Sequence, residues 1–152
     1  PGNQKSVLVL SDSHARNCAI NIKDNLTTNY EVSGIVIPGA RAKDIVITGE
    51  HNGEKNDTIV LWAGTNDISK NAGACGLKYI TKFVAENYKS KILVMSAPYR
   101  YDLPEWSCVN NAVNIFKKNL KAKMKRFHYA KVIDINLSRG HFTRHGLHRP
   151  YE

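Results

Sequence analysis

Short β-branched runs alternate along the chain with longer stretches whose apolar residues recur every three or four positions. Ser6–Leu10 (SVLVL) is apolar almost throughout, as a strand buried on both faces of a parallel sheet should be. Val32–Ile37, Thr58–Ala63, Lys91–Ser96 and Lys131–Ile135 repeat that character and predict four further strands. Helical spacing links Ala15, Ala19, Ile22 and Leu26 over residues 15–28, then Leu77, Ile80, Phe83, Val84 and Tyr88. A third stripe of Val109, Val113, Phe116, Leu120 and Phe127 predicts a long helix. Glu50–Asp57 is polar and contains glycine, which predicts a surface loop. Strands alternating with helices make βαβ units. The expected architecture is therefore a three-layer α/β/α domain on a five-stranded parallel, flavodoxin-like sheet. In such sheets the working residues collect just beyond the carboxyl ends of the strands.

The 152 residues suit one domain, and no repeat, low-complexity tract or linker divides them. A single domain over 1–152 is expected, with residues 1–5 as an edge before the first strand. With 42% hydrophobic and 23% charged residues the composition is that of an ordinary globular chain, and no apolar run approaches the roughly 18 residues of a membrane span. The three cysteines, Cys18, Cys75 and Cys108, are odd in number and form no CxxC pair. A disulfide framework is thus not expected, and a reducing, intracellular setting (cytoplasmic or nuclear) is the simpler reading. Cys18 and Cys108 are expected as small apolar residues on helices.

Charge adds a second theme. The formal net charge is +9, yet residues 1–105 are nearly neutral, while residues 106–151 carry ten basic side chains against Asp134 alone. Lys117, Lys118, Lys121, Lys123, Lys125 and Arg126 fall within ten positions, mostly opposite the apolar stripe of the long helix. Such a face, with Lys117, Lys118, Lys121 and Lys125 as contacts, suits single-stranded RNA or DNA through its phosphates, with strong salt dependence and little sequence preference. A solvated basic face that keeps the protein dissolved is the alternative, and both stay open.

Candidate chemistry sits at the predicted strand ends. Ser11-Asp12-Ser13-His14 follows the first strand, Pro38-Gly39-Ala40-Arg41 the second, and Gly64-Thr65-Asn66-Asp67 the third; Phe142–His148 follows the fifth. A serine at a strand-to-helix turn lies where free N–H groups favour a developing anion. Its hydroxyl needs a base, which a histidine reaching over the sheet edge supplies. A glycine permits close backbone approach, and an asparagine amide donates to an oxyanion without adding charge. Each residue also has a plainer use: Ser13 as a helix cap, Gly39 as a turn, Asn66-Asp67 as cap or loop support, His148 as a solvent-facing histidine.

These four segments, in this order, resemble the blocks GDS, Gly, GxND and DxxH of the SGNH (GDSL-type) hydrolases. The resemblance implies the SGNH hydrolase fold, with Ser13 as nucleophile, Gly39 and Asn66 as oxyanion donors and His148 as general base. It also implies hydrolysis of a small acyl or acetyl ester through an acyl-enzyme, with no metal and no organic cofactor. HFTRHGLH, together with SDSHAR and GTND, looks closest to the esterase-like domains in first-open-reading-frame proteins of non-LTR (LINE-type) retrotransposons, which makes RNA a sensible partner.

Three departures from the family pattern stand out. Ser11 replaces the block's Gly and is expected to crowd the turn while leaving Asp12 and Ser13 in place. His145 stands where the DxxH acid should be, and loss of that carboxylate from a complete triad costs about 10⁴ in kcat. Only Arg149-Pro150-Tyr151-Glu152 follow His148, where the family continues into a closing helix. That leaves a helix cut short or a His148 held loosely. Two readings fit: a Ser–His dyad esterase of modest turnover, or a catalytically decayed scaffold used as a nucleic-acid-binding or protein-interaction module.

Asp12-x-His14 also resembles the opening of the calcineurin-like metallophosphoesterases, but their GDxxD and GNHD/E blocks are missing. His141, His145 and His148 form an HxxxHxxH cluster that is read as adventitious rather than as a metal site. His14 is expected to line the mouth of the active site.

Overall fold

Five strands carry the domain: β1 (Lys5–Ser11), β2 (Tyr30–Val36), β3 (Thr58–Trp62), β4 (Lys91–Met95) and β5 (Ala130–Ile133). The structure, a computed structural model, describes residues 5–12, 30–52, 56–97, 104 and 106–134. All pairings are parallel, in the order β2-β1-β3-β4-β5. This is the flavodoxin-like order, and its switch point falls between β1 and β3, where the chain changes its direction of travel across the sheet. Inner strands lie between neighbours, which is why Val7–Leu10, Ile59–Leu61, Ile92 and Val94 are all buried. Register brings the ends level: Ser11, the last residue of β1, pairs with Val36 and with Trp62, the last residues of β2 and β3.

One sheet face, with Leu8, Leu10, Ile59, Leu61, Ile92 and Val94, packs against three helices: α1 (Ala42–Asn52), α3 (Gly73–Glu86) and α4 (Cys108–Met124). Ile45 and Val46 come from α1, Leu77, Ile80, Phe83 and Val84 from α3, and Val113, Phe116, Leu120 and Met124 from α4. On the opposite face Val7, Val9 and Val60 form a smaller cluster with Val32, Leu93 and Met95. A five-residue helix, α2 (Thr65–Ser69), follows β3 directly. Among the described residues no helix is long and apolar enough to cross a membrane.

The fold class agrees with the sequence pattern; several boundaries do not. Helix α1 was not signalled, because Ile45, Val46, Ile47 and Thr48 are β-branched and Gly49 is a weak helix former. Burial of Ala42, Ile45, Val46 and Gly49 decides its conformation. The expected loop Glu50–Asp57 accordingly starts late, since α1 runs on to Asn52. Tyr88 does not belong to the α3 stripe: the helix ends at Glu86, with the Asn87 N–H on the Phe83 and Val84 carbonyls, and Tyr88 is exposed. Met124 completes the α4 stripe, while Val109 and Phe127 are only half-buried. Ser107 caps α4, its Oγ accepting from the Asn110 N–H at 3.1 Å, and leaves Cys108 exposed rather than packed. The predicted helix over 15–28 lies outside the described residues, as do Ile135 and the histidine-rich tail.

Candidate active site

Level strand ends place three segments side by side at the switch point. Asp12 extends β1 by donating its N–H to the Trp62 carbonyl (3.3 Å), and Ile37 extends β2 by donating to the Ser11 carbonyl (2.9 Å). Ser11 is fully buried within the strand, and its Oγ donates to the Asp12 carbonyl at 2.9 Å. The hydroxyl that the sequence suggested would crowd this turn is thus accommodated, in a strand conformation any residue adopts.

After β2 the chain reverses in a turn from Ile37 to Ala40, closed by the Ala40 N–H on the Ile37 carbonyl at 3.1 Å. Pro38 takes the position that favours its fixed φ, and Gly39, at φ +73°, takes the next, which is type II geometry. Gly39 is exposed, and among the described residues a Cβ there would meet no atom within 4 Å. Among the described residues no backbone carbonyl accepts from its N–H. The glycine is required for its φ, and no described residue crowds it.

Asn66, the second residue of α2, ties the ends together. Its Nδ2 donates to the Ala40 carbonyl at 2.9 Å and to the Asp12 Oδ2 at 3.4 Å. The Asp67 side chain is buried and turns the other way: Oδ2 accepts from the Ala42 N–H at the start of α1 (2.8 Å), and Oδ1 lies 3.5 Å from the Arg41 Nε. The expected structural role of Asp67 is therefore seen, as a carboxylate at the amino end of a neighbouring helix. Two glycines make this possible. Gly64, at φ +107°, begins α2 against the Phe116 ring, and a Cβ on Gly76 would come within 2.7 Å of the Asp67 Cγ.

Burial pushes the Asp67 carboxyl above the usual carboxylate range, and the Ala42 N–H and Arg41 guanidinium pull it back only in part. The folded state therefore holds this proton more tightly than the unfolded chain does. Its contribution to stability is full at low pH and declines as pH rises through the window above the ordinary carboxyl value of about 3.9. Asp67→Asn keeps an acceptor for the Ala42 N–H and removes the titration. Thermal melts at successive pH values should show a shallower decline above about pH 4 in this variant than in the parent. Parallel curves would show that other groups set the pH dependence.

Of the residues singled out in the sequence, Asp12, Gly39 and Asn66 are brought together. Ser13, His14, His145 and His148 lie outside the described residues, as does His141. Among the described residues no three histidine, cysteine or acidic side chains gather to hold a metal ion. On α4, Lys118 and Lys121 are exposed and Lys117 is half-buried, and Lys125, which caps the helix end, is exposed. Lys121 is committed to Asp134, Nζ to Oδ2 at 2.7 Å, and that hydrogen bond holds the Asp134 carboxyl below its usual range. The basic face is thus partly neutralised from within. Arg41 and Gly64 stand in the strand-end segments with no role legible from the sequence, because their partners Asp67 and Phe116 lie 26 and 52 residues away, and Gly76 packs on Asp67 from the next helix.

No family model matches the chain, and no curated protein matches it. Solved structures do. An acetyl xylan esterase, AlAXEase, superposes with a TM-score of 0.78 at 18% identity, over 95% of this chain and 91% of that one. A GDSL-like lipase from Bacteroides thetaiotaomicron gives 0.74 at 17%, over 99% and 82%. The lipase/acylhydrolase from Enterococcus faecalis gives 0.71 at 17%, over 97% and 88%. The architecture is thus the α/β fold of the SGNH (GDSL-type) lipases and acylhydrolases. At these identities the likeness is one of fold.

Proposed function

We propose that this chain is a serine hydrolase of small acyl or acetyl esters, with Ser13 as nucleophile and His148 as general base. The observation that carries the reading is the Asn66 amide, which reaches both the turn holding Gly39 and Asp12, the residue next to Ser13 in the chain. An oxyanion hole needs donors fixed before the reaction, so that none has to reorganise as charge develops. The Gly39 N–H in its turn and the Asn66 Nδ2 are two such donors, and the Ser13 N–H is a third. The bond to the Ala40 carbonyl holds the Asn66 amide in place, and the N–H on the longer Asp12 contact is the one shared with an oxyanion.

The reaction then follows from these groups. Ser13 Oγ attacks the ester carbonyl carbon while His148 takes the hydroxyl proton, and the tetrahedral oxyanion accepts from the three donors. Each donor contributes roughly 2.7–4 kcal/mol in the transition state. Collapse breaks the ester C–O bond, the imidazolium protonates the departing alcohol, and water releases the acyl group by the reverse path. His145 supplies no carboxylate to orient His148, so turnover is expected to be modest. The fold likeness to an acetyl xylan esterase and to lipases favours ester substrates. The narrower retroelement likeness rests only on the short strings HFTRHGLH, SDSHAR and GTND, and the RNA partner on that likeness and the basic helix; the esterase reading needs neither.

Reaction with a fluorophosphonate probe and hydrolysis of p-nitrophenyl acetate test the proposal beside Ser13→Ala and His148→Ala. Removing the nucleophile from a complete triad costs about 2 × 10⁶ in kcat, and about 10⁴ of that is already gone without the acid. A loss of about 10²-fold is therefore expected for either variant, with labelling abolished in Ser13→Ala. Equal rates and equal labelling in all three proteins would sink the mechanism.

A further inference from the structure

Arg41 lies two residues beyond Gly39, so its Cα is within about 7 Å of the turn that offers the Gly39 N–H. Every residue from Ala40 to Ala42 is bonded to the start of α2. Ala40 O accepts from Asn66, and the Arg41 Nε and the Ala42 N–H both reach the Asp67 carboxylate. That carboxylate is 2% exposed, while the Arg41 side chain is 41% exposed. The guanidinium is thus held at its Nε, from the buried side, and open to solvent on the other. Its contact with Asp67 is long, 3.5 Å, and among the described residues the two Nη groups, with four N–H donors, have no partner. A planar fork anchored in this way is suited to a carboxylate or another oxyanion, which it grips with two parallel hydrogen bonds.

We infer that Arg41 is a specificity-determining residue that selects esters carrying an anionic group close to the scissile bond, on the acyl or the alcohol side. This rests on the esterase reading above and adds the substrate class. The charge of Asp67 offsets part of the attraction at long range, but its oxygens are turned to Ala42 and the Nε. The grip on a ligand comes instead from the short-range donors of the Nη groups.

The test compares kcat/KM for mono-p-nitrophenyl succinate, with the anion on the acyl side, and 4-acetoxybenzoate, with the anion on the alcohol side, against neutral p-nitrophenyl acetate and phenyl acetate. The parent protein should prefer one anionic ester to its neutral partner. In Arg41→Gln that preference ratio should fall about 10- to 100-fold, the usual loss for a hydrogen bond to a charged group. Arg41→Lys, which keeps the cation without the fork, should retain an intermediate ratio. Raising the salt concentration should lower the parent's ratio and leave that of Arg41→Gln unchanged. A parent with no preference overturns the inference, as does an Arg41→Gln variant that slows charged and neutral esters by the same factor, the mark of a merely structural arginine. If the parent hydrolyses none of the esters, the esterase reading fails instead. Calorimetric binding of monomethyl succinate then decides the anion site: weaker binding by Arg41→Gln upholds it, and no binding by the parent overturns it.

Discussion

Asn66→Ala lowers kcat for p-nitrophenyl acetate by about 10²- to 10³-fold, the cost of deleting one oxyanion donor, with little change in KM. The reason for the split is that the donor matters most when charge sits on the carbonyl oxygen. The amide also has a structural use, because it bonds to the Ala40 carbonyl at 2.9 Å and to Asp12 at 3.4 Å. Ala40 is buried, and leaving its carbonyl without this donor costs about 1–3 kcal/mol. In a chain of this size that lowers Tm by about 2–12 °C. The two effects are therefore separable by magnitude. Steady-state kinetics and a thermal melt on the same sample read both. A normal kcat with a lowered Tm would make Asn66 a strut between turns and remove it from the chemistry.

Gly64→Ala has the largest expected effect on stability, a loss of about 3 kcal/mol or more. Two costs add. At φ +107° an L-residue is strained, which costs of order 1–3 kcal/mol. The new Cβ would also stand 2.6 Å from the Phe116 Cζ, and overpacking of that kind costs typically 1–3 kcal/mol. The ring cannot simply swing away, because Phe116 is buried in the cluster that joins α4 to the sheet. A fall in Tm of about 6–12 °C is expected. Adding Phe116→Leu to Gly64→Ala should return part of the loss, since it relieves the clash and leaves the strain. If Gly64→Ala melts within 2 °C of the parent, as about 1 kcal/mol or less would give, the glycine is not what fixes the start of α2. Because Thr65, Asn66 and Asp67 follow at once, the same variant is expected to displace the Asn66 amide and to slow ester hydrolysis along with the melt.

The segments at the strand ends could be read from the chain because each depends on neighbours in sequence. Pro38-Gly39 encodes a type II turn by one residue's fixed φ and the next residue's freedom to take a positive one. The inner strands are legible for a similar reason: burial on both faces leaves unbroken apolar runs such as SVLVL and TIVLW. Helix α1 was not legible. Its run of β-branched residues favours strand over helix in isolation, and only packing of Ile45 and Val46 on the sheet side selects the helix. Lys121 looked like a free cation in the sequence, and its pairing with Asp134 arises from the way β5 returns beside α4.

The sequence by itself determined the α/β class, the number of strands and the residue types gathered at their carboxyl ends, since periodicity and turn chemistry are local properties. Tertiary structure alone decided which of those residues meet. Parallel register levels the ends of β1, β2 and β3, and that leveling lets Asn66 reach Ala40 and Asp12 across 26 and 54 residues of chain. It also turns Asp67 from a motif residue into the buried anchor of Arg41 and α1. The physical reason is that a hydrogen bond between distant segments carries no periodic trace in the chain; it exists only once hydrophobic burial has fixed the sheet.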